Sequence, residues 1–278
     1  MNLLDTLKEE QAHCRSGSLY HQTQIMFAYN NNRIEGSHLS HEQTRYLYET
    51  NTFLPDSPDE IIHADDIVET VNHFEAFNFL LDSIHKPLSP DLIKQFHAIL
   101  KKGTSDARNP NFRVGDYKAL PNMIGEMVKT CSPQQVPAQI EKLLHKYQSE
   151  PSITVKEIVD FHYHFEKIHP FQDGNGRVGR LIMFRECLVN HVVPFIIDDE
   201  HKLFYYRGLS EYPKEPGYLI DTCLSAQDKY QSLLDYFQIG TQDKGIPAIT
   251  AETQKRAKEL NADPASSITE QETSRDYN

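Results

Sequence analysis

The densest chemistry in this chain lies in His169-Pro170-Phe171-Gln172-Asp173-Gly174-Asn175-Gly176-Arg177-Val178-Gly179-Arg180. A helix that reaches His169 is not continued through Pro170, because the residue before a proline is pushed out of the helical region. Gly174 and Gly176 bracket Asn175, a combination that accepts positive φ and turns successive N–H groups toward one point, forming an anion nest. A helix starting at that nest adds its N-terminal dipole to the attraction for a phosphate. Arg177 and Arg180 lie three apart on that helix and can reach one ligand. A carboxylate beside the nest would repel phosphate, so Asp173 makes sense when a divalent cation bridges the two. Mg²⁺ suits such a mixed carboxylate–phosphate site. His169 supplies an imidazole whose ordinary pKa is near neutrality, fit for general-base work. A plain glycine-rich turn would need none of the histidine, the aspartate or the paired arginines.

Two other readings of nearby residues fail on context. Gly174 to Gly179 also spells GxGxxG, but that fingerprint needs a preceding β-strand, and the residues before it carry a helical stripe. His162, His164 and His169 do not share one helix face, and HExxH is absent, so they do not read as a metal cluster.

The elements that must position these residues are helical. Ile67, Val71, Phe74, Phe77, Leu81 and Ile84 follow spacings of three and four, which predicts a helix over 64–84. Ser89-Pro90 starts another that Gly103 closes, and Ser132-Pro133 starts a third. Ser40 with Gln43, and Thr154 with Glu157, read as capping boxes; the second opens the helix that ends at His169. A further helix follows Gly176. Residues 112–129 lack a helical stripe and carry Gly115, Pro121-Asn122 and Gly125, which predicts a short hairpin. The fold class expected is all-α with one small β-hairpin. The polar stretch after about residue 240 reads as partly disordered, with one helical stretch over 251–261.

Composition bounds the rest. With 40 acidic against 28 basic residues, the 278-residue chain has a net charge of -12, which argues against a nucleic-acid partner. No run approaches the roughly 20 apolar residues that a membrane span needs. The acidic N-terminus does not read as a secretory signal, and four scattered cysteines suit no disulfide scaffold, so a reducing cytoplasm is the expected location.

His169 through Arg180 matches HxFx(D/E)GNGRxxR at every specified position, and the chain thereby resembles the Fic (Fido) family over about residues 90–235. The resemblance implies a Fic-type helical bundle divided into an N-terminal helical region (1–89), a catalytic core (90–235) and a polar tail (236–278). It implies a protein adenylyltransferase that moves AMP from ATP to a Ser, Thr or Tyr hydroxyl of a target protein, labelling itself as well. In that scheme His169 is the base and Asp173 the Mg²⁺ ligand. Gly174, Asn175 and Gly176 hold the α-phosphate, and Arg177 and Arg180 grip the outer phosphates. Tyr205 or Tyr206 would line the adenine pocket. The hairpin would bind the target as an added strand, with arms Val114–Lys118 and Pro121–Gly125 and with Met123 and Ile124 against the target; Lys118 is given no catalytic role.

Upstream, Asn31-Asn32-Arg33-Ile34-Glu35-Gly36 resembles the family's inhibitory motif (S/T)xxxE(G/N) in its N-terminal placement, class II. The resemblance implies that Glu35 pairs with the first signature arginine, Arg177, and silences the enzyme. Asn31 stands where the family has a hydroxyl. An acid at a helix C-terminus opposes the helix dipole, which asks for another reason for Glu35 to be there. Two alternatives remain open: a de-AMPylase in which Glu35 positions water, and a nucleotide-binding sensor without turnover. The donor base, the target and whether the chain forms a homo-oligomer are left open by the sequence.

Overall fold

In the computed structural model, which describes residues 2–124 and 128–240, the described residues hold ten α-helices and one pair of very short strands. The helices are α1 (Leu3–Ala12), α2 (Leu19–Ile34), α3 (His41–Thr50), α4 (Ala64–Asp82) and α5 (Pro90–Lys101). They continue with α6 (Val136–Gln148), α7 (Val155–Ile168), α8 (Asn175–Val189), α9 (Lys202–Glu211) and α10 (Gly217–Tyr236). Local chemistry sets several of the ends. Ser40 and Thr154 each form a complete capping box, with Gln43 and Glu157 reaching back to the cap. The Ser89 side chain accepts from the Leu92 N–H with Pro90 in the first turn.

At the centre runs α8, in which every residue from Asn175 to Leu188 is buried. Phe184 of α8 packs against Phe27 of α2, Phe77 of α4 and Tyr230 of α10, with ring centroids 5.2, 5.4 and 5.6 Å apart. Such offset and edge-to-face aromatic pairs hold neighbouring helices at fixed distances. Burying α8 on all sides obliges its charged residues to find partners. Arg185 pairs with Glu186 and donates to the Ile84 carbonyl at 3.2 Å and to the Lys86 carbonyl.

The segment between α5 and α6 differs from the sequence expectation. Met123–Ile124 (β1) pairs antiparallel with Val128–Lys129 (β2), Met123 opposite Lys129. The expected first arm, Val114–Lys118, is turn and irregular structure instead. Gly115 takes φ +75, and its N–H donates to His97 Nδ1 at 2.9 Å, which bends this stretch onto α5 rather than along a partner strand. Residues 241–278, expected to be a partly disordered tail, lie outside the described residues.

Candidate active site

The end of α7 delivers the imidazole. His169 is the C-cap of α7 with φ 51 and ψ 64, a left-handed conformation uncommon for a residue with a Cβ. Such geometry persists only where the surroundings over-determine it. Here they do. The Lys118 N–H donates to the Pro170 carbonyl at 2.8 Å. The Phe171 ring stacks on His97, centroids 4.0 Å apart and 4° from parallel. Asn175 grips the Phe171 backbone from both sides, accepting from its N–H at 2.8 Å and donating to its carbonyl at 3.0 Å. The Asn175 amide is therefore spent on holding the loop, and what it offers a ligand is the shape of that loop.

The loop enters α8 through Gly174 at φ +76. The first helical hydrogen bond is Val178 N–H to the Gly174 carbonyl, so the N–H groups of Asn175, Gly176 and Arg177 form the donor end of the helix. A cleft of about 420 Å³ opens at this end, between α7, α8 and α9. His169, Asp173, Gly174, Gly176 and Arg180 line it, as do Glu35, Glu166 and Tyr206.

Glu35, the C-cap of α2, reaches across the mouth of α8. A Cβ on Gly176 would run into Glu35 Oε1, so the carboxylate holds this position only beside a residue without a side chain. The sequence expectation paired Glu35 with Arg177; the structure pairs it with Arg180, Oε1 to NH2 at 2.5 Å. The reason is rotational. Positions three apart on an α-helix differ by about 60°. That turns Arg180 toward the end of α2 and Arg177 toward α4, where it pairs with Glu69 and, at 3.0 Å, with Asp173. Arg177 is 3% exposed and does not line the cleft.

Asn31, one turn before Glu35, secures the arrangement. Its Oδ1 accepts from Arg180 Nε at 2.5 Å and its backbone carbonyl from Arg180 NH2 at 3.1 Å. Its Nδ2 lies 2.8 Å from His73 Nε2 and 3.2 Å from the Arg177 carbonyl. An amide thus accepts from one arginine while donating to the backbone of the other, which no hydroxyl could do with the same two atoms.

Asp173 Oδ2 is held by Lys101 Nζ at 2.7 Å and by Arg177 NH2 at 3.0 Å, while 48% of the side chain stays exposed. Burial opposes its ionisation, but Arg177 and Lys101 prevail and hold the carboxyl well below the usual range. No cluster of three or more His, Cys, Asp or Glu able to hold a metal exists among the described residues. A single exposed carboxylate beside an anion cradle fits a Mg²⁺ that keeps several waters and takes its other ligands from bound phosphates. His169 is pushed down to about 4, chiefly by burial and then by Lys118.

Tyr205 and Tyr206 both line the cleft but differ in exposure. Tyr205 is 1% exposed, its hydroxyl 2.7 Å from His162 Nε2 and accepting from Arg180 NH1 at 3.3 Å, so it props the arginine from beneath. Tyr206 stands at the rim, donating to the Ile34 carbonyl at 3.0 Å. Met123 is exposed in β1, and Ile124 follows it in the same strand. Three residues escaped the sequence analysis: Lys101 and Glu69, which brace Asp173 and Arg177, and Glu166 beside His169. Glu166 stands three residues before His169 on the same helix, and that spacing was the available signal.

Residues 87–187 match the family model described as the Fic/DOC family. The chain is 27% identical over 195 residues to the protein adenylyltransferase fic-1 of Caenorhabditis elegans, covering 68% of this chain and 36% of that protein. A second such relative, from Caenorhabditis briggsae, is 25% identical over 214 residues and 40% covered, so the chain spans about two fifths of the curated relatives' length. Among solved structures, a Fic-domain signaling protein from Bacteroides thetaiotaomicron superposes with a TM-score of 0.69 at 20% identity, covering 87% of this chain and 99% of that one. A fragment of C. elegans Fic-1 gives 0.64 at 20% identity, covering 84% and 72%. These superpositions show that the helical fold is the Fic fold.

Proposed function

We propose that this chain, which belongs to the Fic/DOC family, is a protein adenylyltransferase that moves AMP from ATP to a hydroxyl side chain of a target protein. The observation that supports it is one cleft in which the donor end of α8, Arg180 and an imidazole face the same space. In the reaction the hydroxyl oxygen bonds to the α-phosphorus, the bond to the β-phosphate oxygen breaks, and pyrophosphate leaves. His169 takes the hydroxyl proton. The N–H groups of Asn175, Gly176 and Arg177 bind the phosphate oxygens and meet the negative charge that grows on them. Arg180 holds the outer phosphates and so sets the line of attack. Arg177 acts one step back, fixing Asp173. Bound at Asp173, Mg²⁺ would neutralise the charge on the phosphates and on the departing pyrophosphate. Tyr206 at the rim borders the space for the base, and β1, with Met123 and Ile124, offers a strand edge to the target.

As it stands the chain is switched off. The Glu35 carboxylate occupies Arg180 and sits over Gly176, where a phosphate would lie. Glu35→Gly is expected to raise AMP incorporation from labelled ATP, self-labelling included, by about 100- to 1,000-fold, the scale of restoring one preorganised donor. His169→Ala in that background should return labelling to background. Equal labelling with and without His169 would defeat the base assignment. The second reading, removal of AMP with Glu35 positioning water, is favoured by the place of Glu35 inside the cleft rather than beside it. It requires that Glu35→Gly abolish release of AMP from a modified target.

A further inference from the structure

One turn before His169, α7 carries a carboxyl that the reaction described above does not use. Glu166 is 8% exposed, and its Oε1 is buried with no hydrogen-bond partner. Its Oε2 lies 3.8 Å from His169 Nδ1, which is itself buried and unpartnered. Residues three apart on a helix share a face, so the two groups are held opposite one another by α7 itself. Unpartnered buried polar atoms are rare because each forfeits its hydration; here Glu166 Oε1 and His169 Nδ1 both lack partners, and the carboxyl's other oxygen, Oε2, stands about 1 Å beyond hydrogen-bond reach of Nδ1. We propose that Glu166 is a positioning residue for AMP transfer: it accepts the Nδ1–H of His169 and so leaves Nε2 as the bare nitrogen that takes the target's proton. This rests on the adenylyltransferase reading above.

A neutral imidazole has one donor and one acceptor nitrogen, and the hydrogen bond made by one decides the role of the other. With no partner at Nδ1 the proton is free to sit on Nε2, where it blocks base catalysis. The surroundings make a partner more necessary. Burial first and then Lys118, from the segment before β1, disfavour a positive imidazole, whereas the Glu166 backbone, Glu35 of α2 and Asp173 of the loop favour it. A carboxylate at Nδ1 adds to the favourable side where the effect is greatest, in direct contact.

The same geometry links His169 to the inhibitory acid. Burial first, and the charge of Glu35 second, push Glu166 up to about 8, against the pull of Arg180 from α8; His162 of α7 and Tyr205 and Tyr206 of α9 are further titratable neighbours. A protonated Glu166 donates to Nδ1 and places the imidazole proton on Nε2, the wrong end. An ionised Glu166 accepts instead. Glu35 thus acts twice, by holding Arg180 and by keeping the partner of His169 protonated.

The test reads the tautomer of His169 by ¹⁵N NMR in the histidine-labelled chain without Mg²⁺, its signal assigned by loss in His169→Ala. In Glu35→Gly the Nδ1–H form should dominate at pH 7. Adding Glu166→Met, similar in shape but without an acceptor, should mix the tautomers. It should also lower kcat by about 10- to 100-fold, a fraction of what a general base contributes, with KM for ATP unchanged. Glu166→Gln keeps an acceptor but no charge. It should retain the Nδ1–H form, lower the titration midpoint of His169 and restore part of the rate. A tautomer or a kcat indifferent to Glu166→Met overturns the proposal; if that variant does not fold, a His169 midpoint unmoved by Glu166→Gln does so. A tautomer that follows Glu166 in a Glu35→Gly chain that labels nothing upholds the orientation and overturns the adenylyltransferase reading instead.

Discussion

Asn31 shows how much can hang on one amide. Replacing it with alanine removes the acceptor for Arg180 Nε and the partner of His73 Nε2, both of them in buried residues. A buried polar group left unsatisfied costs about 1–3 kcal/mol. Asn31→Ala is therefore expected to lower the unfolding free energy by about 2–4 kcal/mol in urea titrations and to raise self-labelling, because α2 loses its hold on Arg180 while Glu35 is still present. Labelling unchanged in a destabilised variant would mean that the ion pair alone keeps Glu35 in place. Asn31 and Glu35 could be picked out from their spacing, since residues four apart share a helix face. Which arginine they meet could not. Arg177 and Arg180 are chemically identical, and only the turn of α8 relative to α2 and α4 distinguishes them.

At the scale of elements the seam between α7 and α8 is set by Gly179. A Cβ there would lie 2.7 Å from two ring atoms of His162 and 3.0 Å from Glu166 Oε1. The His162 ring is fully buried and bonded to Tyr205, so it has nowhere to go. Gly179→Ala should cost about 1–3 kcal/mol through overpacking, although alanine is the better helix former by about 1 kcal/mol. A stabilised variant in urea titration would show that the seam can open. The helices with strong caps and clean stripes were legible: α4 falls within the expected 64–84, and α7 begins at its capping box. The helix expected after Gly176 forms as α8, although it is buried all round. Other elements were harder to read. The helices α9 and α10 have neither an N-cap side chain nor a marked stripe. The hairpin was placed by its turn residues, but Gly115 bends toward α5, so pairing starts only at Met123. The catalytic stretch was legible because phosphate chemistry demands rare residues at fixed spacing. Glu166 was not, because its role depends on what faces it.

For the whole molecule, the buried histidines set a pH window. Burial above all pushes His73, His97 and His162 down to about 3 and His169 to about 4. Unfolded, each would titrate near 6.5, so between those values the unfolded chain binds more protons and stability rises with pH. Their contribution is complete above about pH 6.5 and is lost as pH falls below it. Glu166 works the other way. Folded it titrates at about 8 against roughly 4.3 unfolded, so its proton stabilises the fold at low pH, and that contribution is lost as pH rises toward 8. Each proton is worth up to about 1.4 kcal/mol per pH unit. Below pH 6.5 four histidines oppose one glutamate, and the net slope approaches three protons, about 4 kcal/mol per unit. Between 6.5 and 8 Glu166 acts with the opposite sign, giving a shallow decline. Urea unfolding at pH 5.5, 6.5 and 8 should therefore find the maximum at the middle value and a steep loss on the acid side. Glu166→Met should flatten the alkaline decline and leave the acid limb in place. Equal stability at pH 5.5 and 6.5 would mean that these four histidines are not held neutral by the fold. In that case His169 would already be protonated where the reaction needs it bare.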